Sequence, residues 1–254
     1  YNGQPFLLDR HLRRLRASAS ALGLPCAMDD SEIIDMITRT MAEVDGDTEK
    51  YIRVLLTRGI GELSYDPAGC QTPTIVVIVR PYTETSSNLL ANGASLILSS
   101  IVRNHPQSLN PQIKSNNLLN NALAMQEALR AGADEALMCN YKGEIAECAQ
   151  SNVFIVRDGS ALTPPLVSGL LEGITRNFVR EIGPAIGIPV YEKALRISDL
   201  FSSDEVFITG TTREVLSVSE IDGKKIGSGV PGPITLKLAT EFKRRALTFT
   251  NATV

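Results

Sequence analysis

Histidine is scarce: His11 and His105 are the only two in 254 residues. A Ser-His-Asp triad or a histidine-built metal site would have to use one of them. His11 sits among arginines on a helical stretch and His105 precedes a proline, so both read as surface or packing residues. Lysine, carboxylates and hydroxyls are left to carry the chemistry. The four cysteines (Cys26, Cys70, Cys139 and Cys148) are scattered, with no CxxC pair, which argues against a zinc site and for a reducing compartment. No long basic run occurs and the formal net charge is −3, so nucleic acid is not an expected partner. The longest apolar runs, such as Thr74–Val79, fall far short of the ~20 residues of a membrane helix, and no membrane is expected as a partner either. No secretory leader is evident at the start, and the cysteine pattern makes the cytoplasm the expected location. The chain opens at Tyr1 without a Met, inside what reads as a turn (Tyr1-Asn2-Gly3-Gln4), and an upstream segment outside this numbering is expected. What is present is ordinary for a soluble globular protein: 43% hydrophobic and 21% charged residues.

Periodicity divides the chain. Leu12, Leu15, Ala19 and Leu22 mark one helix face, with Asp9 placed to cap its start and Gly23 and Pro25 to stop it. A second helix from about Ser31 carries Ile33, Ile34, Ile37, Met41 and Val44 and ends at Gly46. Strands are predicted at Tyr51–Thr57 and Thr74–Val79, with a third β-type run at Ala94–Val102. Arg103–Gln112 is polar and contains prolines, and reads as a loop and an inter-domain connector. A helix is predicted over Ser115–Ala131, stopped by Gly132. Strands follow at Glu135–Cys139, Glu144–Glu147 and Val153–Val156, with tight turns at Tyr141-Lys142-Gly143 and Asp158-Gly159. After a helix opening at Gly173 come strands at Val206–Thr209, Val215–Ile221 and Lys225-Ile226, the last two joined at Asp222-Gly223, then a final helix over Pro233–Ala246. The whole reads as an α+β protein in two lobes, a small N-terminal domain over residues 1–92 and a larger one over 93–254, with the connector near 103–112.

Three local patterns carry possible chemistry. Lys114 stands where a loop becomes a helix, in Asn110-Pro111-Gln112-Ile113-Lys114-Ser115-Asn116-Asn117, among neutral polar residues. An imine-forming lysine needs such a place, because adjacent carboxylates would keep it protonated. The same residues also fit a solvated lysine near a helix start. Gly173-Ile174-Thr175-Arg176 opens a helix whose free amides and dipole suit a phosphate, and equally fits an ordinary capped helix. Thr209-Gly210-Thr211-Thr212 follows a strand and could contact the same anion or simply end the strand. Composition and spacing go no further than a two-lobed α+β protein with two anion-suited turns.

The run Ile113-Lys114-Ser115-Asn116-Asn117-Leu118-Leu119-Asn120-Asn121-Ala122-Leu123-Ala124 resembles the lysine segment of the class IV (fold-type IV) pyridoxal-phosphate aminotransferases. That family includes branched-chain and D-amino-acid aminotransferases, (R)-amine transaminases and aminodeoxychorismate lyase. His11-Leu12-Arg13-Arg14-Leu15 is similar to the family's early helix motif. Gly143-Glu144-Ile145-Ala146-Glu147, continued by Ser151-Asn152-Val153-Phe154, resembles its central strand pair. Gly173-Ile174-Thr175-Arg176 and Gly210-Thr211 resemble its two phosphate turns. Five motifs in register span nearly the whole chain.

The resemblance implies two α/β lobes with pyridoxal 5'-phosphate between them, usually in a homodimer or higher homo-oligomer, and roughly one more strand pair before Tyr1. It implies that Lys114 holds the cofactor covalently and shuttles a proton, and that Glu147 pairs with the pyridine nitrogen. It implies further that Arg14, Ile174, Thr175, Gly210 and Thr211 hold the phosphate, and that Tyr51, Arg53 and Thr212 meet the substrates, an amino acid and a 2-oxo acid. No metal is implied. Departures bear on the donor. Cys148 stands where many members have glycine, and Leu118 where many branched-chain enzymes have tyrosine, as D-amino-acid enzymes tend to have. Tyr51-Ile52-Arg53 resembles the Tyr-x-Arg of branched-chain enzymes, while no arginine-x-histidine pair of the D-amino-acid type follows Gly59. The expected reaction is transamination of a branched-chain-type L-amino acid with 2-oxoglutarate. D-amino-acid transamination is the first alternative and the aminodeoxychorismate lyase reaction a further one.

Overall fold

The computed structural model describes residues 1–24, 26–46 and 49–249. It divides into two compact units: Tyr1–Thr83 together with Ala246–Val254, and Glu84–Arg245. The boundary thus falls at Thr83/Glu84, and the final segment groups with the first unit, where Asn2 Nδ2 donates to Leu247 O at 2.7 Å and Phe6 meets Phe249 edge-on at 5.1 Å.

In the first unit, α1 spans Leu8–Ala21 and α2 spans Asp30–Ala42. The expected cap of α1, Asp9, lies instead inside the first turn. The N-cap is Leu7, held in the left-handed region at φ 52° by a side chain that is 2% exposed. A carboxylate in the first turn still favours the helix dipole. α2 starts on a capping box, in which Asp29 Oδ1 accepts the Glu32 amide at 2.9 Å and Glu32 Oε2 accepts the Asp29 amide at 2.8 Å. It ends at Ala42, short of Gly46. Gly23 takes φ 64° just past α1, as a helix stop requires, whereas Pro25 lies outside the described residues. β1 (Lys50–Thr57) and β2 (Thr74–Pro81) form an antiparallel pair with Tyr51 opposite Arg80 and Arg53 opposite Ile78. Ile52, Val54, Ile75 and Val77 pack against buried Leu12, Ile33 and Ile37. Alternation on a strand therefore places Tyr51 and Arg53 together on the face away from the helices.

The second unit is built on a nine-stranded sheet. Its elements in chain order are α3 (Ser87–Asn92), β3 (Ala94–Leu98), α4 (Leu119–Ala131), β4 (Glu135–Cys139), β5 (Ile145–Cys148), β6 (Asn152–Arg157), β7 (Ser160–Thr163), α5 (Ile174–Ala185), β8 (Val190–Glu192), α6 (Ile197–Phe201), β9 (Glu205–Gly210), β10 (Glu214–Ile221), β11 (Lys224–Lys225) and α7 (Pro233–Thr248), whose last turn groups with the first unit. The order across the sheet is β5-β4-β3-β10-β9-β6-β7-β8, with β11 on β10. β3 lies parallel to β10 and β4, and β7 parallel to β8, while the other pairs are antiparallel. Val153–Val156 and Val206–Ile208 are buried at every position, as strands covered on both faces must be. Asp158-Gly159 (φ 50° and 74°) and Asp222-Gly223 (φ 50° and 69°) make the tight turns expected of them, both residues in the left-handed region that such hairpins need.

Three differences from the sequence reading have local causes. The run Ala94–Val102 is strand only to Leu98, because Ser99 and Ser100 turn away and bond Glu127 through their hydroxyls and the Ser100 amide. α4 begins at Leu119 rather than Ser115. Before it, Ser115 Oγ accepts the Asn117 amide at 3.3 Å and Asn116 O accepts the Leu118 amide at 2.9 Å, so short polar side chains and turn bonds compete with the helix. The segment 103–112 runs inside the second unit between β3 and α4, tied at its start by the Arg103 amide to Cys139 O at 2.9 Å.

Candidate functional site

Glu147 lies on β5 with its side chain 6% exposed. Its carboxylate is held from three directions: Arg103 Nε donates to Oε1 at 2.8 Å, and Asn152 Nδ2 and the Leu171 amide donate to Oε2 at 3.2 and 3.1 Å. Burial pushes the Glu147 carboxyl up from its ordinary range, whereas Arg103, the Leu171 amide and the Lys114 ammonium act in the opposite direction. Arg103 is fixed in turn by Asn120 Oδ1, 3.0 Å from Nη1, and Asn120 Nδ2 donates to Val102 O at 2.9 Å. Lys114 is exposed in the loop before α4, and its charge reaches Glu147.

Asn152 joins this acid to the start of α5. Its Nδ2 also donates to Leu171 O at 3.0 Å, and a Cβ added at Gly173 would overlap its Oδ1. The glycine is required here for close approach, not for its φ of −72°. No side chain caps α5, so its first amides, from Ile174 and Thr175, remain available to an anion. Asn152 pairs with Thr209 across β6 and β9, which sets the two side chains on one face. Thr209 Oγ1 is buried there without a hydrogen-bond partner, and a buried hydroxyl calls for one. Gly210 follows, with Ser151 Oγ 3.6 Å from where its Cβ would stand, and the turn Thr211-Thr212-Arg213 is closed by Glu214 in the left-handed region at φ 53°. A cavity of ≈270 Å³ is lined by Asn110, Pro111, Gln112 and Leu166 among others, the first three in the loop that carries Lys114.

Lys114, Glu147, Ile174, Thr175, Gly210, Thr211 and Thr212 all belong to the second unit, on loops and element ends around β5, β6 and β9. Arg14 (on α1) and Tyr51 and Arg53 (on β1) belong to the first. Tyr51 carries the Arg80 guanidinium 4.9 Å above its ring. His105 serves packing, lying 4.2 Å from the Tyr141 ring while its Nδ1 accepts the Gln107 amide at 3.1 Å. Sequence reasoning missed Arg103, Asn120 and the bonds of Asn152. Arg103 carried one signal, a lone arginine directly after an apolar run, yet its partner is 44 residues away.

A donor set of buried carboxylate, nearby lysine, uncapped helix start and orphan hydroxyl suits a ligand with a basic ring nitrogen, an aldehyde and a phosphate. The profile of the amino-transferase class IV family matches residues 1–221. A provisionally assigned branched-chain-amino-acid aminotransferase of Methanocaldococcus jannaschii is 40% identical over 96% of this chain and 83% of its own. The D-alanine aminotransferase of Bacillus licheniformis is 33% identical over 100% and 87%. Among solved structures, the branched-chain aminotransferase of Thermoproteus uzoniensis with norvaline matches with a TM-score of 0.89 at 33% identity, over 96% of this chain and 80% of that one. The branched-chain amino acid aminotransferase of Thermobaculum terrenum in its PLP-form matches with 0.85 at 31%, over 96% and 79%. These similarities show the α+β fold of the fold-type IV enzymes. With the family profile covering most of its length, the chain belongs to the class IV aminotransferases.

Proposed function

We propose that this aminotransferase moves an amino group from a branched-chain L-amino acid to 2-oxoglutarate with pyridoxal 5'-phosphate as cofactor. In this reading Lys114 and Glu147 are the catalytic residues. The observation that carries it is the Glu147 carboxylate, buried, fixed by three donors and within reach of the Lys114 charge, in a chain of this family.

The residues present fit the cofactor: a buried carboxylate suits its ring nitrogen, a lysine its aldehyde, and an uncapped helix start with a partnerless buried hydroxyl its phosphate. When bound, the cofactor supplies an electron sink for charge developing at the substrate α-carbon. Glu147 would hold a proton on the ring nitrogen, and Arg103 fixes its carboxylate and opposes the burial that disfavours its charge. Lys114 would hold the cofactor through its aldehyde and, once substrate is bound, would serve as the base that moves the α-proton. In the second unit the Ile174 and Thr175 amides, with Gly210 and Thr211, would hold the phosphate, and Arg14 of the first unit would be its guanidinium ligand by the family pattern alone. Tyr51 and Arg53, on one face of β1, would give a phenol and a guanidinium to one carboxylate, and Thr212 would meet substrate from its own turn. The working form is proposed as a cytoplasmic homodimer or higher homo-oligomer. Leu119 and Leu123, one turn apart on α4 and 68% and 41% exposed, supply apolar surface for assembly. Among the described residues no helix is long and apolar enough to cross a membrane.

The branched-chain donor rests on the relatives named for it and on Tyr51 and Arg53. The Bacillus licheniformis relative named for D-alanine, together with Leu118, supports D-amino-acid transamination as the second reading. Glutamate formed from 2-oxoglutarate with L-leucine, D-leucine and D-alanine separates them. L-leucine is the expected best donor. Preference for D-alanine establishes the second reading, and no Lys114-dependent turnover with any donor contradicts both.

A further inference from the structure

Glu135, at the start of β4, is 0% exposed and lies outside the groups assigned above. Its carboxylate joins two separate segments of the site. Oε1 accepts the Gln150 amide at 2.6 Å, and Oε2 accepts the Ser151 hydroxyl at 3.0 Å and pairs with the Arg213 guanidinium, Nε at 3.1 Å. Arg213 also donates through Nη2 to Asp134 O at 3.2 Å. The Gln150-Ser151 bend leads directly into Asn152, which clamps Glu147, while Arg213 belongs to the turn that presents Thr211 and Thr212. That turn ends on Glu214 at φ 53°, a backbone state that a non-glycine residue keeps only when its surroundings hold it.

We propose that Glu135 is a positioning residue. Through Arg213 it fixes the Thr211-Thr212 turn, and through Ser151 it fixes the base of the Glu147 clamp, so that one buried carboxylate holds the phosphate turn in register with the ring-nitrogen acid. Burial alone would favour a neutral Glu135, and Arg213 is the cation that offsets this. Loss of the charge should therefore loosen the turn first, because its hold is ionic, whereas the Gln150 and Ser151 bonds survive replacement by an amide.

The inference rests on the reading of Thr211 as a phosphate contact, and two ligands test it on the full chain freed of cofactor. Pyridoxal phosphate and pyridoxal are titrated separately, followed by the visible absorption that depends on Lys114. Glu135→Gln should weaken pyridoxal phosphate about tenfold, the effect of one impaired charge-assisted contact, and leave pyridoxal within about twofold. Arg213 is partly exposed and its replacement spares the core, so Arg213→Gln should show the same selective loss even if Glu135→Gln folds poorly. Equal loss of both ligands, or no loss of either, overturns the positioning role. Tighter pyridoxal phosphate binding by Glu135→Gln overturns it too, since a released Arg213 would then be contacting phosphate itself. Absence of Lys114-dependent absorption in the unsubstituted protein refutes the underlying cofactor reading instead.

Discussion

Arg103 and Glu147 form a buried ion pair, Nε to Oε1 at 2.8 Å, with side chains 8% and 6% exposed. Removing one partner of such a pair strands the other charge. Arg103→Met should cost about 3–5 kcal/mol of stability, and the double variant with Glu147→Gln should cost less than Arg103→Met alone. Urea denaturation of the three proteins measures this. The pH profile gives a second reading. Burial already raises the Glu147 carboxyl, and losing Arg103 raises it further, so the acid limb of activity should move to higher pH in Arg103→Met. An unmoved limb would mean that Glu147 is not the group whose charge turnover needs.

Gly173 is pressed against the Asn152 amide, leaving no room for a methyl group. Gly173→Ala should displace Asn152 or the start of α5, costing roughly 1–3 kcal/mol and weakening cofactor retention. Adding Asn152→Ala frees the space and should recover part of the stability, though not the Glu147 bond. A Gly173→Ala protein with unchanged melting temperature and cofactor affinity would contradict the close packing assigned to this junction.

What the sequence revealed was local. The Asp158-Gly159 and Asp222-Gly223 turns follow from two adjacent residues, and the helical stripes of Ile33 and Ile37 from spacing alone. The short elements were not legible. β8 is three residues long and exists because it pairs with β7 from 29 positions away, Val190 with Ala161. α4 starts later than helical periodicity predicts, because spacing does not register the turn bonds of Ser115 and Asn116. For the site, Lys114, Glu147 and the two phosphate turns came from the motifs of a family. Arg103, Asn120 and Glu135 act through partners 15 to 78 residues distant, where no spacing rule applies.

On α7, Glu241 accepts bonds from Arg244 and Arg245, which hold its carboxyl at about 2. A depressed carboxyl adds stability that is complete above its ordinary value of 4.5 and is lost as pH falls toward about 2. Glu241→Gln should therefore flatten the acid side of the stability curve within that window. The effect should be small, because solvent screens the pair, and should shrink further in high salt. Thermal denaturation at stepped pH checks it, and identical curves for the two proteins would show that these contacts carry no linkage.

Arg53 shares the outer face of β1 with Tyr51 and is exposed there. If it meets the second carboxylate of 2-oxoglutarate, Arg53→Ala should raise KM for that acceptor much more than for pyruvate, with kcat little changed. Equal effects on both acceptors would place Arg53 at the α-carboxylate or in a role confined to the fold.

The central claim is that Lys114 binds the cofactor and carries the proton, and one measurement addresses it most directly. The protein mixed with pyridoxal phosphate is followed in the visible range before and after addition of an amino donor, alongside Lys114→Ala. The account predicts a lysine-dependent band that the donor discharges, and the absence of both band and discharge in Lys114→Ala. A variant that keeps the band and still responds to the donor would contradict the assignment of Lys114.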